Sequence, residues 1–312
     1  MQWCYLILAG IFWGLASLVR SVPYPLTPFV GVFLFLVWPN KRKGLLAGLI
    51  FFLAAMVTLS PWIIRNYKVF GHFVAVDTMG GLNLYMGNYA HTPLHRAWAA
   101  VDNPPEIAWY RGHEKELAHL NEAEKQRWAI KEALVFIKEH PGLTALRTVI
   151  KATNFWQLER TIIAGMQKGF FPGLKNKVLE TISALSIPLS YVLVAILGFC
   201  GLLEETIPCL EKKKCLSSGR CPMVWLFWLL ILYFTAIHAL VFGHSRYHLP
   251  LVPLLCLFSA YLVFSFKEIY SLRRNEFRKI FISVVSIFSI IWIYDVFIGS
   301  WDKIEAFCHQ LF

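Results

Sequence analysis

Long apolar runs dominate the chain. They occupy 3–19, 22–38, 45–63, 181–203, 223–242, 249–266 and 280–298. A helix needs roughly 17–25 apolar residues to cross ~30 Å of hydrocarbon at 1.5 Å per residue. The first two runs are the shortest and read as a tightly turned pair broken at Ser21-Val22-Pro23. In lipid the backbone must satisfy its own hydrogen bonds, so these runs are predicted to be helices. The pattern predicts an all-α integral membrane protein with about seven transmembrane helices and one large, mainly helical extracytoplasmic loop.

That loop is segment 64–180, where polar and apolar positions alternate with helical period. Asn121, with Glu124 three residues on, predicts a helix start, and His140-Pro141-Gly142 predicts its end. Within 121–139, Ile130, Ala133, Leu134 and Ile137 share one face, with Trp128 and Val135 opposite. A second helix is expected from 143 to about 158. The pair reads either as the packed helices of a soluble cap or as amphipathic helices on the membrane surface. The expected division is three transmembrane helices in 1–63, the loop in 64–180, and four transmembrane helices with a short outer tail in 181–312.

Charge sets the expected orientation. Loop 39–44 carries Lys41, Arg42 and Lys43; loop 204–222 carries Lys212, Lys213, Lys214 and Arg220; loop 267–279 carries Lys267, Arg273, Arg274, Arg278 and Lys279. The alternate loops, 20–21 and 243–248, carry one arginine each. Cytoplasmic loops collect Lys and Arg, which predicts a multi-pass inner (plasma) membrane protein with a cytoplasmic N-terminus. This sorting by side also explains the net charge of +11 without nucleic acid as a partner. Composition agrees: 57% of residues are hydrophobic and 16% charged, against about 25% charged in soluble domains. No Lys or Arg precedes Arg20, so the basic start of a secretory signal is missing.

Cys4, Cys200 and Cys256 lie in or beside apolar runs and read as packing residues; Cys308 is a single thiol near the far end. Cys209, Cys215 and Cys221 fall in an expected cytoplasmic loop, where reducing conditions argue against disulfides. Their spacing of six departs from the close pairs of zinc sites, and no metal is expected.

Three clusters at the expected outer face could carry chemistry. Pro61-Trp62-Ile63-Ile64-Arg65-Asn66-Tyr67, continuing to Phe70-Gly71, puts an arginine at the mouth of the third span. It reads either as a snorkelling interface residue or as a clamp whose guanidinium fork fits phosphate. Thr78-Met79-Gly80-Gly81-Leu82-Asn83, then Tyr85 and Gly87-Asn88, reads as a simple turn or as a backbone that approaches an anion closely. Gly243-His244-Ser245-Arg246-Tyr247-His248-Leu249-Pro250 packs polar groups between two apolar runs, where such groups have partners. His238 and Asp295 either join this cluster or are buried polar groups bonded to neighbouring helices. P-loop, GxSxG, HExxH and long dinucleotide-binding patterns are absent.

In order, Pro-Trp-x-x-Arg-Asn-Tyr-x-x-Phe-Gly, Thr-x-Gly-Gly-x-Asn-x-x-x-Gly-Asn and Arg-Tyr-x-Leu-Pro resemble the polytopic GT-C glycosyltransferases. The closest likeness is to the bacterial branch akin to protein O-mannosyltransferases and the lipid A aminoarabinose transferase (glycosyltransferase family 39-like). Phe136-Ile137-Lys138-Glu139-His140-Pro141 and Asn154-Phe155-Trp156 fit that branch's outer loop. The resemblance implies a polyprenyl-phosphate sugar donor held among membrane lipid and a glycan, lipid or protein acceptor, with no cofactor. By this likeness Arg65, Tyr67, Arg246, Tyr247 and His248 bind the donor phosphate, and Gly80, Gly81, Asn83 and Asn88 lie near substrate.

One departure stands against the likeness. The family carries its acidic base in a first outer loop, whereas here that loop is Arg20-Ser21 and no Asp or Glu precedes Asp77. The chain therefore reads as lacking the family's N-terminal part, a fragment inactive by itself, with Asp77 the one acid in place to substitute. A non-catalytic membrane scaffold and a lipid or solute transporter are the alternatives. A transporter would put ionisable groups near the bilayer midplane, whereas these clusters sit at the boundary.

Overall fold

The computed structural model describes residues 2–104, 107–108, 113–158, 165–166, 169–170, 177–211 and 221–299. Every regular element among them is helical. Four helical stretches are long and apolar enough to cross a membrane: Lys41–Phe70, Thr181–Leu210, Cys221–Leu240 and Ser245–Gly299. Outward-facing apolar side chains such as Val57, Leu232, Phe264 and Ile290 line them; water would penalise so continuous an apolar exterior and lipid does not.

The helices form two compact units. The first comprises Met1–Thr92, Ala100–Pro141 and Cys209–Leu229. In it, α1 (Gln2–Val19) and α2 (Thr27–Val37) both pack on α3 (Lys41–Phe70). Small residues allow the approach: a Cβ on Gly48 of α3 would lie 2.4 Å from the Gly31 carbonyl oxygen of α2. Lipid supplies no hydrophobic drive between helices, so such close backbone contact is what holds them. Trp13 Nε1 donates to Thr27 Oγ1 at 3.0 Å, tying α1 to the start of α2. Asn40 caps α3 by accepting from the Lys43 amide, and Gly71 ends it in the left-handed region at φ 68°.

After α3 come α4 (Met79–Met86), α5 (Glu114–Leu117) and α6 (Glu122–Glu139). The predicted start of α6 is a reciprocal capping box: Asn121 Oδ1 accepts from the Glu124 amide at 3.0 Å, and Glu124 Oε2 accepts from the Asn121 amide at 2.8 Å. That backbone bond, more than the neighbouring His72 and Arg127, holds the Glu124 carboxyl below its usual range. Its buried face is Ala123, Ala129 and Ala133. Leu134, placed by periodicity on the inner stripe, is exposed, because small alanines let another helix approach where a leucine would hold it off.

The second unit comprises Pro93–Ala99, Gly142–Pro208 and Leu230–Phe312. It holds most of α7 (Pro141–Phe155), most of α8 (Lys177–Glu211), the later half of α9 (Cys221–Leu240), a 3-10 turn (Ser245–Leu251) and α10 (Val252–Tyr294). Gly198 and Gly201 let α8 lie against Leu255 and Phe258 of α10. Glu204 of α8, buried, pairs with Arg273 of α10 at 4.0 Å.

Two expectations change. Runs 3–19 and 22–38 form shorter apolar helices, Trp3–Val19 and Tyr24–Val37. The second includes a 3-10 turn, and the 11 residues of α2 rise only ~16 Å. Runs 249–266 and 280–298 are two helices parted within α10 at Arg273, whose φ/ψ of −136°/37° is not helical, with the Phe266 and Phe277 rings 5.6 Å apart across the break. Cys209 and Cys221, expected as thiols, are joined in a disulfide with Cα atoms 5.5 Å apart, because the end of α8 and the start of α9 come side by side. Cys215 and Cys308 lie outside the described residues.

Candidate functional site

In the first unit the first sequence cluster is braced by the segment that leads to the second. Trp62, Arg65 and Asn66 share one face of α3. The chain reverses at Gly71 and returns along that face: Asn66 Nδ2 donates to the Val74 and Val76 carbonyls at 3.2 and 3.3 Å, and Trp62 Nε1 donates to Val76 at 2.7 Å. Asn66 is buried by this, and its Oδ1 accepts from Arg65 Nη1 at 3.0 Å. The exposed guanidinium also lies over the Trp62 ring, 5.0 Å from its centroid. Arg65 is thus an exposed cation braced on two sides. Tyr67 is exposed on the same last turns of α3.

Asp77 directly follows the pinned Val76. Its Oδ1 accepts from the Met79 amide at 2.9 Å, at the start of α4. Gly80 and Gly81 are not a turn but lie within α4. Gly81 is buried against α6, where an added Cβ would sit 2.5 Å from the Gln126 carbonyl oxygen; beside Gly80 nothing lies within 4 Å. Gly81→Ala is therefore expected to cost ~1–3 kcal/mol by overpacking. Gly80→Ala should be neutral or stabilise by up to ~1 kcal/mol through helix propensity. Thermal unfolding in detergent compares the two, and equal effects would remove the helix-packing account of Gly81. Asn83 is half-buried, and Asn88 is buried and bonds within its own turn, Nδ2 to the Leu84 carbonyl at 2.8 Å.

In the second unit the third cluster forms the 3-10 turn Ser245–Leu251, which splits neighbouring residues between two environments. Arg246 faces out, its Nη2 donating to Tyr247 Oη at 3.1 Å and its guanidinium 5.1 Å from the Tyr247 ring centre. Tyr247 stacks on His238 at 4.7 Å, so His238 does join this cluster. His248 faces in: Nδ1 donates to the Phe155 carbonyl at 2.7 Å, and the ring lies parallel to Tyr191 at 4.5 Å and Trp156 at 5.9 Å. Its position is that of a core residue that anchors the turn. Asp295 is buried in the π-helical turn Asp295–Gly299.

Sequence reasoning missed the inner face of α7. Arg147, Ile150, Lys151, Asn154 and Phe155 are all buried, while Leu143, Leu146 and Val149 are 38%, 50% and 64% exposed. Lys151 Nζ donates to the Leu240 carbonyl at the end of α9, at 3.3 Å, and Asn154 Nδ2 donates to the His95 carbonyl at 2.6 Å. Burial first, and the Arg147 charge second, push the Lys151 pKa down to about 7. The signal was present: positions 147, 150, 151, 154 and 155 follow the i, i+3, i+4, i+7, i+8 rule. The stripe mixes cations with apolar residues, so a search for apolar periodicity passes over it.

Among the described residues no group of three His, Cys, Asp or Glu side chains is arranged to hold a metal ion. Set against protein-family models, curated proteins and solved structures, the chain matches none of them.

Proposed function

We propose that the chain transfers a sugar from a polyprenyl-phosphate donor to an extracytoplasmic acceptor, with Arg65 binding the donor phosphate. The observation that carries this reading is Arg65 itself: an exposed guanidinium, braced by Trp62 and Asn66, at the C-terminal end of an apolar 30-residue helix. A lipid phosphate lives at that depth, and a fixed fork of donors suits its oxygens. In the second unit Arg246 repeats the arrangement on Tyr247. The topology that accompanies the reading has seven crossings in the inner membrane, with a cytoplasmic N-terminus and segment 64–180 outside. Twelve basic residues on one set of short loops against two on the other support it. The Cys209–Cys221 bond pulls the other way, since disulfides persist in oxidising compartments; the basic residues, being more numerous, decide the orientation adopted here. The outward apolar face of α7, with its cations turned inward, suits a helix lying at the lipid boundary.

Chemically, an acceptor hydroxyl oxygen attacks the anomeric carbon as the bond from that carbon to the phosphate oxygen breaks. The hydroxyl proton passes to a carboxylate, for which Asp77 stands nearest in sequence to the braced segment. The leaving polyprenyl phosphate gains negative charge, which a fixed cation such as Arg65 stabilises most in the transition state.

Undecaprenyl phosphate, added to the protein in nanodiscs, should raise its melting temperature, and Arg65→Ala should abolish the shift. An unchanged shift in that variant would remove the phosphate-binding role of Arg65. A second reading, a non-catalytic membrane scaffold, draws support from Gly81 and His248, whose surroundings suit packing better than ligand contact. Under it undecaprenyl phosphate gives no shift that depends on Arg65, which separates it from the first.

A further inference from the structure

In the second unit α10 doubles back on itself, and its apex gathers charge. Eleven residues of straight helix would part Phe266 from Phe277 by ~16 Å, yet their rings meet at 5.6 Å. Both arms reach the same turn of α8: Leu255 of the first lies against Gly198, and the Phe288 ring of the second is 5.3 Å from that of Phe199. Cations from both arms therefore come to one end of the hairpin, around the non-helical Arg273. Arg273 itself is turned towards α8, where it pairs with the buried Glu204. Lys267, Arg274, Arg278 and Lys279 are exposed, against two exposed carboxylates, Glu268 and Glu276. The Arg274 guanidinium lies over the Tyr270 ring, 5.3 Å from its centroid. The surface beside these cations is apolar: Leu272 is 75% exposed and Phe264 89%.

We infer that this apex is a binding surface for the headgroups of anionic phospholipids. Three features select that partner. Guanidinium forks and ammonium groups match the oxygens of a phosphodiester, and four exposed cations outnumber the two exposed carboxylates. Leu272 and Phe264 adjoin the cations and take acyl chains, whereas a nucleic acid or an acidic peptide would leave that apolar surface uncovered. Tyr270 lies at the Arg274 guanidinium, and tyrosine rings collect at headgroup depth. In the topology adopted above the apex faces the cytoplasm, where the leaflet is anionic. A headgroup held by Lys267 of one arm and Arg278 or Lys279 of the other would also tie the two arms together. The surface goes beyond the donor-phosphate reading: it uses none of the same residues, and either stands without the other.

The test offers the full chain, purified in mild detergent, an equimolar mixture of phosphatidylcholine and phosphatidylglycerol, and counts the retained lipids by native mass spectrometry. Phosphatidylglycerol should be retained in preference. Each cation near a headgroup is worth about a fivefold change in binding. Arg274→Gln should therefore weaken phosphatidylglycerol retention about fivefold, and the triple variant with Arg278→Gln and Lys279→Gln by on the order of a hundredfold. Phosphatidylcholine retention should not move. Lys131→Gln with Lys138→Gln, exposed on α6, is the control that removes charge elsewhere and should change nothing. The inference fails if wild type retains the two lipids alike, if the triple variant retains phosphatidylglycerol as wild type does, or if the control loses as much. Displacement of the lipid by millimolar inorganic phosphate would also overturn it, since the surface would then be a site for a free anion. If the triple variant does not fold, the three single variants give the same reading.

Discussion

Replacing Lys151 by Met is expected to make the protein more stable at neutral pH and to flatten its stability across pH 7–10.5. Lys151 is fully buried and ordinarily titrates near 10.5, but is held at about 7 in the fold. Between those values the unfolded chain binds a proton that the folded chain does not, so stability rises with pH. Above pH 10.5 the amine is neutral in both states and no penalty remains; below 7 it is charged in both and the full penalty applies. At ~1.36 kcal/mol per pH unit, the difference between 10.5 and 7 amounts to roughly 5 kcal/mol. The bond to the Leu240 carbonyl, at the negative end of the α9 dipole, already offsets part of the burial cost. Methionine has similar length, fills the same space and removes the charge. Melting temperatures of wild type and Lys151→Met, followed from pH 6.5 to 10, give the comparison. Parallel curves would mean that Lys151 does not titrate in this window.

Gly243→Ala is the most damaging single methyl group expected in the described residues. An added Cβ would stand 1.8 Å from the Lys151 carbonyl oxygen and 3.0 Å from the Phe155 amide nitrogen. Both are backbone atoms of α7, so neither can turn aside as a side-chain tip would. The chain after α9 must move away, taking with it the turn that holds His248 on the Phe155 carbonyl. Overpacking usually costs ~1–3 kcal/mol; with backbone on both sides, ~3 kcal/mol or more is expected here. The readout is melting temperature and yield of monodisperse protein, with Gly80→Ala as the matched control in open space. A Gly243→Ala variant that melts with wild type would show that this contact is looser than drawn.

The membrane-embedded, helical character was legible from the chain alone, because it is set by solvation: long apolar runs have no stable form in lipid but helix. Local signals were equally readable. The Asn121–Glu124 box and the stop at His140 each need only a few neighbouring residues, and each stands where the pattern put it. The exposure of Arg65 fits the snorkelling reading of its motif.

What the linear order could not reveal is which residues meet after the chain turns back. Arg65 read as a snorkelling interface residue or a phosphate clamp; only the return of Val74 and Val76 makes Trp62 and Asn66 a brace for it. Gly80 and Gly81 are alike in sequence, yet α6 crowds one and leaves the other open. His248 and Arg246 are two residues apart, and a 3-10 turn sends one inward and the other outward. Lys151 and Arg147 look like surface charges until the partners of α7 close over them. Composition and period govern how a segment is solvated; contacts between segments govern what each side chain can do, and those exist only once the helices have packed.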